Sequence, residues 1–201
     1  MIKHFIFDFG DVFINLDKKA PEKALKDFGI KEFSKEMLAK NHLYEKGLLS
    51  TEAFLEFYSL QFPQISKTIM RKAWNSIILD FPVERLTFIE AFSKSNSCFL
   101  LSNINDLHLT YITEKLGSVF YQRFYNCFKK VYYSHEINLR KPEATIFDYI
   151  FNERKLNPKE CFFVDDVLEN TEMASKLGVQ CWTINPNEED IIELPKRLYD
   201  L

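Results

Sequence analysis

Five short apolar runs punctuate the chain, and each one stops at a polar residue. His4-Phe5-Ile6-Phe7 stops at Asp8, Ser97-Cys98-Phe99-Leu100-Leu101 at Ser102, and Lys130-Val131-Tyr132-Tyr133 at Ser134. Cys161-Phe162-Phe163-Val164 stops at Asp165, and Gln180-Cys181-Trp182-Thr183-Ile184 at Asn185. The runs are unbroken rather than alternating, the pattern of parallel strands covered on both faces. Helical stretches separate them. Arg85 to Ser93 precedes the second run, and Leu107 to Leu116 follows it and stops at Gly117, a plausible C-cap. Pro142 is expected at the start of a helix running through Ala144, Ile146, Phe147 and Ile150, and Asn170 to Leu177 ends at Gly178. This repetition predicts an α/β fold, a doubly wound parallel sheet with right-handed crossovers.

One long segment breaks the alternation. From about Asp17 to Phe81 no strand is expected, and four helical stretches take its place: Pro21 to Phe28, Lys35 to Lys46, Thr51 to Gln61 and Ser66 to Leu79. Phe54, Leu55, Tyr58 and Phe62 give the third an apolar face, and Gly29 and Gly47 mark turns. The expected division is therefore a core of residues 1–16 and 82–201 with an all-helical insertion at 17–81. From Pro186 the chain carries an acidic patch, expected to be solvated helix surface.

Composition adds exclusions. The 201 residues are 46% hydrophobic and 27% charged, enough apolar material for a large core and no sign of disorder. The formal net charge of −3, without a basic tract, argues against a nucleic-acid partner. An anionic substrate must therefore be held by local groups. No run approaches the ~20 apolar residues of a membrane span, and the first apolar run meets Asp8 too early for a signal peptide. The default location is the cytoplasm. Cys98, Cys127, Cys161 and Cys181 form no CxxC pair and are expected to be reduced.

In a doubly wound sheet, ligands bind beyond the carboxyl ends of the strands. Asp8, Ser102, Asp165 and Asp166 therefore point at one crevice, with Lys141 nearby. Each has a plainer reading as a turn former, cap or surface lysine. Their convergence makes a chemical set instead. Two acidic sites can hold Mg²⁺, which prefers oxygen ligands. A carboxylate beside it can attack phosphorus, while lysine, hydroxyl and backbone N–H groups hold the phosphoryl oxygens.

These residues resemble the four motifs of the haloacid dehalogenase superfamily, in order. Ile6-Phe7-Asp8-Phe9-Gly10-Asp11-Val12 is similar to the first and Leu101-Ser102-Asn103 to the second. Arg140-Lys141-Pro142-Glu143 is similar to the third and Phe162-Phe163-Val164-Asp165-Asp166 to the fourth. The resemblance covers essentially the whole chain, and the insertion resembles the family's helical C1-type cap. Tyr44 to Ser50, Leu101 to Asn105 with His108, and Arg140 to Ala144 resemble the branch of bacterial α-D-glucose-1-phosphate phosphatases.

The resemblance implies a phosphatase of small phosphorylated metabolites. It implies Asp8 as nucleophile and metal ligand, the Gly10 backbone carbonyl and Asp166 as further ligands, and Asp165 as a ligand or close by. It implies Ser102 and Lys141 as phosphate-binding residues, Lys141 also offsetting the charge of Asp8, and Asn103 donating its backbone N–H. The chain departs from the pattern at Gly10, where most phosphatases of the superfamily carry an aspartate acting as general acid and base. His108 and Asp11 are the candidates to replace it. A metal-independent 2-haloacid dehalogenase and a non-catalytic binding protein are the alternatives. The Asp165-Asp166 pair argues against the first, and the retained Asp8 and Lys141 against the second. Tyr44 and Glu45 are candidate specificity residues, and oligomeric state is not readable from the sequence.

Overall fold

The computed structural model describes residues 1–199. Its centre is a five-stranded sheet: β1 (His4–Phe7), β2 (Ser97–Ser102), β3 (Lys130–Tyr133), β4 (Cys161–Asp165) and β5 (Gln180–Thr183). All pairings are parallel and the order is β3-β2-β1-β4-β5. The unbroken apolar runs have a direct cause. Along β1, Phe5 and Phe7 pack into one buried cluster while Ile6 packs into another on the opposite face. Each of these buried side chains contributes about 1.5–3 kcal/mol.

The chain runs outward from β1 to β2 and β3, then returns to the other side of β1 for β4. The switch in direction therefore lies between β1 and β4, where such sheets bind ligands. Phe7 is paired with Val164 and Asp8 N donates to Val164 O at 2.9 Å, so Asp8 and Asp165 leave the sheet side by side.

Between β1 and the helix at Val83–Phe92 that leads into β2 stand α1 (Ala20–Leu25), α2 (Lys35–Glu45), α3 (Thr51–Gln61) and α4 (Lys67–Asn75), with a 3₁₀ turn at Lys26–Phe28. Three begin on a serine. Ser34, Ser50 and Ser66 each accept from the backbone N–H three residues on, at 3.2 Å. Each such cap is worth ~1 kcal/mol. Phe54, Tyr58, Met70 and Trp74 of the insertion form a third buried cluster, which Leu107 of the core joins. Helix α4 stops at Asn75 rather than continuing to Leu79, because the chain must extend there to pair Ile78 with Leu16.

The core helices are α5 (Val83–Phe92), α6 (Asp106–Leu116), α7 (Ser118–Tyr125), α8 (Ser134–Ile137), α9 (Ala144–Arg154), α10 (Leu168–Lys176) and α11 (Leu194–Tyr199). Pro142 does not begin a helix, contrary to expectation. It lies in a turn, α9 begins at Ala144 behind an extended Glu143, and Lys141 therefore sits on a loop after α8. The acidic C-terminal patch is also not merely solvated. Asp190 pairs with Arg85 at 3.0 Å, and Glu189 accepts from Trp182 Nε1 at 3.2 Å. The four cysteines are free. No helix among the described residues is long and apolar enough to cross a membrane.

The insertion is seated on the core by the loop after α2. Ser134 Oγ donates to Glu45 O, Asn138 Nδ2 to Lys46 O, and Glu45 and Lys46 pair with Arg140 and Glu143. Gly47 makes this approach possible: its φ is +66°, and a Cβ there would lie 2.0 Å from His135 O. Gly47→Ala is expected to lower stability by roughly 1–3 kcal/mol, since it adds a backbone clash to left-handed strain. Chemical denaturation measures it, and a change within error would mean that the loop can move off α8 freely.

Candidate active site

Asp8, Ser102, Lys141 and Asp166 all line one cavity of about 270 Å³ at the switch point. Lys141 is its electrostatic centre. The residue is 1% exposed, and its ammonium donates to Asp8 Oδ1 at 2.6 Å, Asp165 Oδ2 at 2.6 Å and Leu101 O at 2.8 Å. Burial disfavours its charge, but the two carboxylates outweigh this and raise its pKa. A second device fixes its backbone: Asn103 Oδ1 accepts from Lys141 N and Asn103 Nδ2 donates to Lys141 O, both at 2.9 Å.

The acids are not equivalent. Asp8 has its carboxyl pushed up to about 7, first by burial and then by Asp165 and Asp166, against the pull of Lys141. Asp165 is fully buried, and both its oxygens are taken. Val167 N and Asn170 Nδ2 donate to Oδ1, and Lys141 and Asn170 to Oδ2. Asp166 faces the cavity and pairs with the ammonium of Lys18. Oxygen atoms of Asp8, Asp165 and Asp166 lie within 4.8 Å of one another. This oxygen-only donor set, already attracting an ammonium group, fits a hard divalent cation such as Mg²⁺.

Ser102 sits at the end of β2 on the cavity wall, with Asn103 beside it. Gly10 also lines the cavity, and a Cβ there would lie 2.8 Å from Leu16 Cδ1. The space beside position 10 is therefore filled by a leucine. Of the candidate specificity residues, Glu45 reaches the cavity wall. Tyr44 does not: it is buried, its hydroxyl 2.9 Å from Thr51 Oγ1 and accepting from Leu107 N.

Neither candidate proton donor is available. His108 lines the cavity, but its Nε2 lies 3.1 Å from Trp74 O and its Nδ1 lies 3.1 Å from Asn105 Nδ2. Trp74 O can only accept, so Nε2 carries the hydrogen and Nδ1 accepts. Burial pushes the His108 pKa down to about 4, leaving the ring neutral at pH 7. Asp11 accepts from Leu16 N at 2.9 Å with Oδ1, and its Oδ2 lies 3.0 Å from Lys18 Nζ.

Sequence reasoning missed Lys18, Asn170 and the side-chain role of Asn103. Asn170 stands four residues after Asp166 in a helix start, a spacing that places it back over the strand end, but Lys18 carried no local signal.

Known proteins are similar to this chain in sequence and in fold. The sequence profile of the haloacid dehalogenase-like hydrolases matches residues 5–184. A D-ribitol-5-phosphate phosphatase from Bacteroides thetaiotaomicron is 26% identical over 187 residues, 90% of each chain. A HAD family enzyme of that organism, solved with magnesium and inorganic phosphate, is 29% identical with a TM-score of 0.79, over 94% of this chain and 97% of that one. A HAD-like hydrolase from Porphyromonas gingivalis is 25% identical with a TM-score of 0.84, over 100% of this chain and 99% of that one.

Proposed function

This chain belongs to the haloacid dehalogenase-like hydrolase family, and from that membership we propose that it is a magnesium-dependent phosphomonoester hydrolase acting through an aspartyl-phosphate on Asp8. The observation that carries this reading is Asp8 held between Lys141 and the Asp165-Asp166 pair at the switch point of the sheet. We place the metal on Asp8, the Gly10 carbonyl and Asp166. Asp165, saturated by Lys141, Asn170 and Val167, is the residue that orients Lys141. The similar enzyme solved with magnesium and inorganic phosphate supports the metal and the class of substrate. When bound, magnesium supplies positive charge to the phosphoryl oxygens and to Asp8.

The chain's own groups do the rest. Ser102 Oγ, the Asn103 N–H and Lys141 Nζ hold the phosphoryl oxygens. Lys141 occupies Oδ1 of Asp8, which leaves Oδ2 to attack phosphorus as the bond to the leaving oxygen breaks. Water then attacks the acyl phosphate, releasing phosphate and regenerating Asp8. Residues 17–81 serve as the cap that closes the cavity, with Glu45 at its edge.

With Gly10 at the acid position, and His108 and Asp11 committed elsewhere, the leaving oxygen departs without a side-chain proton. General acid catalysis contributes about 10²–10⁴-fold, so its absence burdens strongly basic leaving groups most. The anomeric oxygen of a sugar 1-phosphate is less basic than a primary alkoxide. This favours small sugar phosphates such as glucose 1-phosphate, and the glucose-1-phosphatase branch of the family. The second reading, a polyol 5-phosphate, rests on the ribitol-5-phosphate phosphatase to which the chain is similar.

One assay separates them. kcat/KM is expected to favour glucose 1-phosphate over glucose 6-phosphate and ribitol 5-phosphate, and to rise steeply across phenyl phosphates as the phenol becomes more acidic. A flat series with ribitol 5-phosphate preferred overturns the first reading. A side chain at position 10 would meet the terminal methyl of Leu16, so Gly10→Asp requires that leucine to turn aside. Gly10→Asp combined with Leu16→Ala is expected to flatten the dependence on leaving group.

A further inference from the structure

Two linkers join the helical insertion to the sheet, and they pair with each other. Asn15 N donates to Asp80 O at 2.8 Å, Asp17 N to Ile77 O at 2.8 Å, and Leu79 N to Asn15 O at 2.9 Å. Lys18 follows directly on this ribbon. Its ammonium reaches back to the core, binding Asp166 Oδ2 and lying 3.0 Å from Asp11 Oδ2. The carboxylates are covered, 6% and 10% exposed, whereas Lys18 is 53% exposed.

This divides the counter-charges of the site. Lys141 serves Asp8 and Asp165, while Asp166 has Lys18. Burial pushes the Asp166 carboxyl up, and Lys18 is the group that opposes it. Among the described residues Asp166 accepts a hydrogen bond from Lys18, whereas both oxygens of Asp165 are held by Lys141, Asn170 and Val167, so Asp166 is the acid a metal must share with Lys18. An ammonium group on a flexible stem and a divalent ion cannot both sit against one carboxylate oxygen without repulsion.

We propose that Lys18 is the internal counter-cation of the metal site, competing with the divalent ion for Asp166 and thereby setting its affinity. This rests on the metal assignment above. Lys18 lets go of Asp166 when the ion binds and keeps Asp11, whose fixed carboxylate tethers it nearby. A half-exposed lysine makes that swing at little cost, because its stem remains solvated on either side. Metal loading thus also releases a link between the start of the insertion and the end of β4.

The test is titration of Mn²⁺ and of Mg²⁺ into the metal-free full chain by calorimetry, with circular dichroism to check folding. Lys18→Met is expected to bind either ion about tenfold more tightly, the size of a unit-charge repulsion at contact in a half-exposed site. Lys18→Arg, which keeps the charge, is expected to bind as the wild type does. Asp166→Asn is expected to weaken binding whatever stands at position 18. Equal affinities in Lys18→Met and wild type, with Asp166→Asn weakened, overturn the role of Lys18 and leave the metal assignment standing. Unchanged affinity in Asp166→Asn overturns the metal assignment itself, and the proposal with it.

Discussion

Asp8→Asn is expected to abolish turnover while leaving the fold intact. Asparagine keeps the shape of the side chain and can still accept from Lys141, but its amide cannot form the acyl phosphate. The expected loss in kcat/KM is on the order of 10⁴-fold or more. Stability should move the other way. The folded state raises the Asp8 carboxyl from 3.8 to about 7, chiefly through burial. A raised acid pKa means the native state binds more protons than the unfolded state between those values, so stability falls as pH rises through that window. Asn carries no such charge. In EDTA, the melting temperature of Asp8→Asn should match wild type near pH 4 and exceed it increasingly up to about pH 7. Phosphatase activity surviving in the variant, or in wild type under excess EDTA, would sink the mechanism. A stability gap that shrinks with rising pH would contradict the electrostatic reading of Asp8.

Lys141→Met is expected to have the largest effect on stability. Methionine approximates the length of the stem but removes the ammonium that joins Asp8, Asp165 and the carbonyl of Leu101. Two buried carboxylates then lose their shared counter-ion. Breaking a buried pair in this way costs about 3–5 kcal/mol. For a chain of this size that corresponds to a fall of roughly 6–20 °C in melting temperature. Activity should fall by at least about 10²-fold, since an electrostatic contact to the phosphoryl group is lost as well. Adding Asp165→Asn to Lys141→Met removes one of the orphaned charges, so it should recover part of the stability and none of the activity. A single variant as stable as wild type would mean that the acids are protonated together and need no lysine.

Much of this was legible along the chain. The inner strands announced themselves because both faces of the sheet are buried there, which forces unbroken apolar runs of the right length, while the edge strand β5 leaves Gln180 and Thr183 exposed. The strand ends announced the candidate site, because Asp8, Ser102 and the Asp165-Asp166 pair interrupt those runs at the carboxyl ends of the strands. The short helix α8 and the helix α7 were not legible. Four residues show no period, and Gly117 hides the junction by ending α6 and starting α7 at once. Pro142 misled for a similar reason, since proline suits a turn as well as a first helical turn.

The sequence by itself thus determined the order of the five strands along the chain and named the acids, the serine and the lysine as candidates. Tertiary structure alone decided how those groups are divided. It set Lys141 against Asp8, 133 residues away, and Lys18 against Asp166, 148 residues away. It spent both nitrogens of His108 on Trp74 and Asn105, and filled the space beside Gly10 with Leu16. Periodicity reports which face of an element is buried, because that depends on neighbours three or four residues away. The protonation and freedom of a buried polar group depend on its partners across the fold, and those are fixed only when the strands have paired.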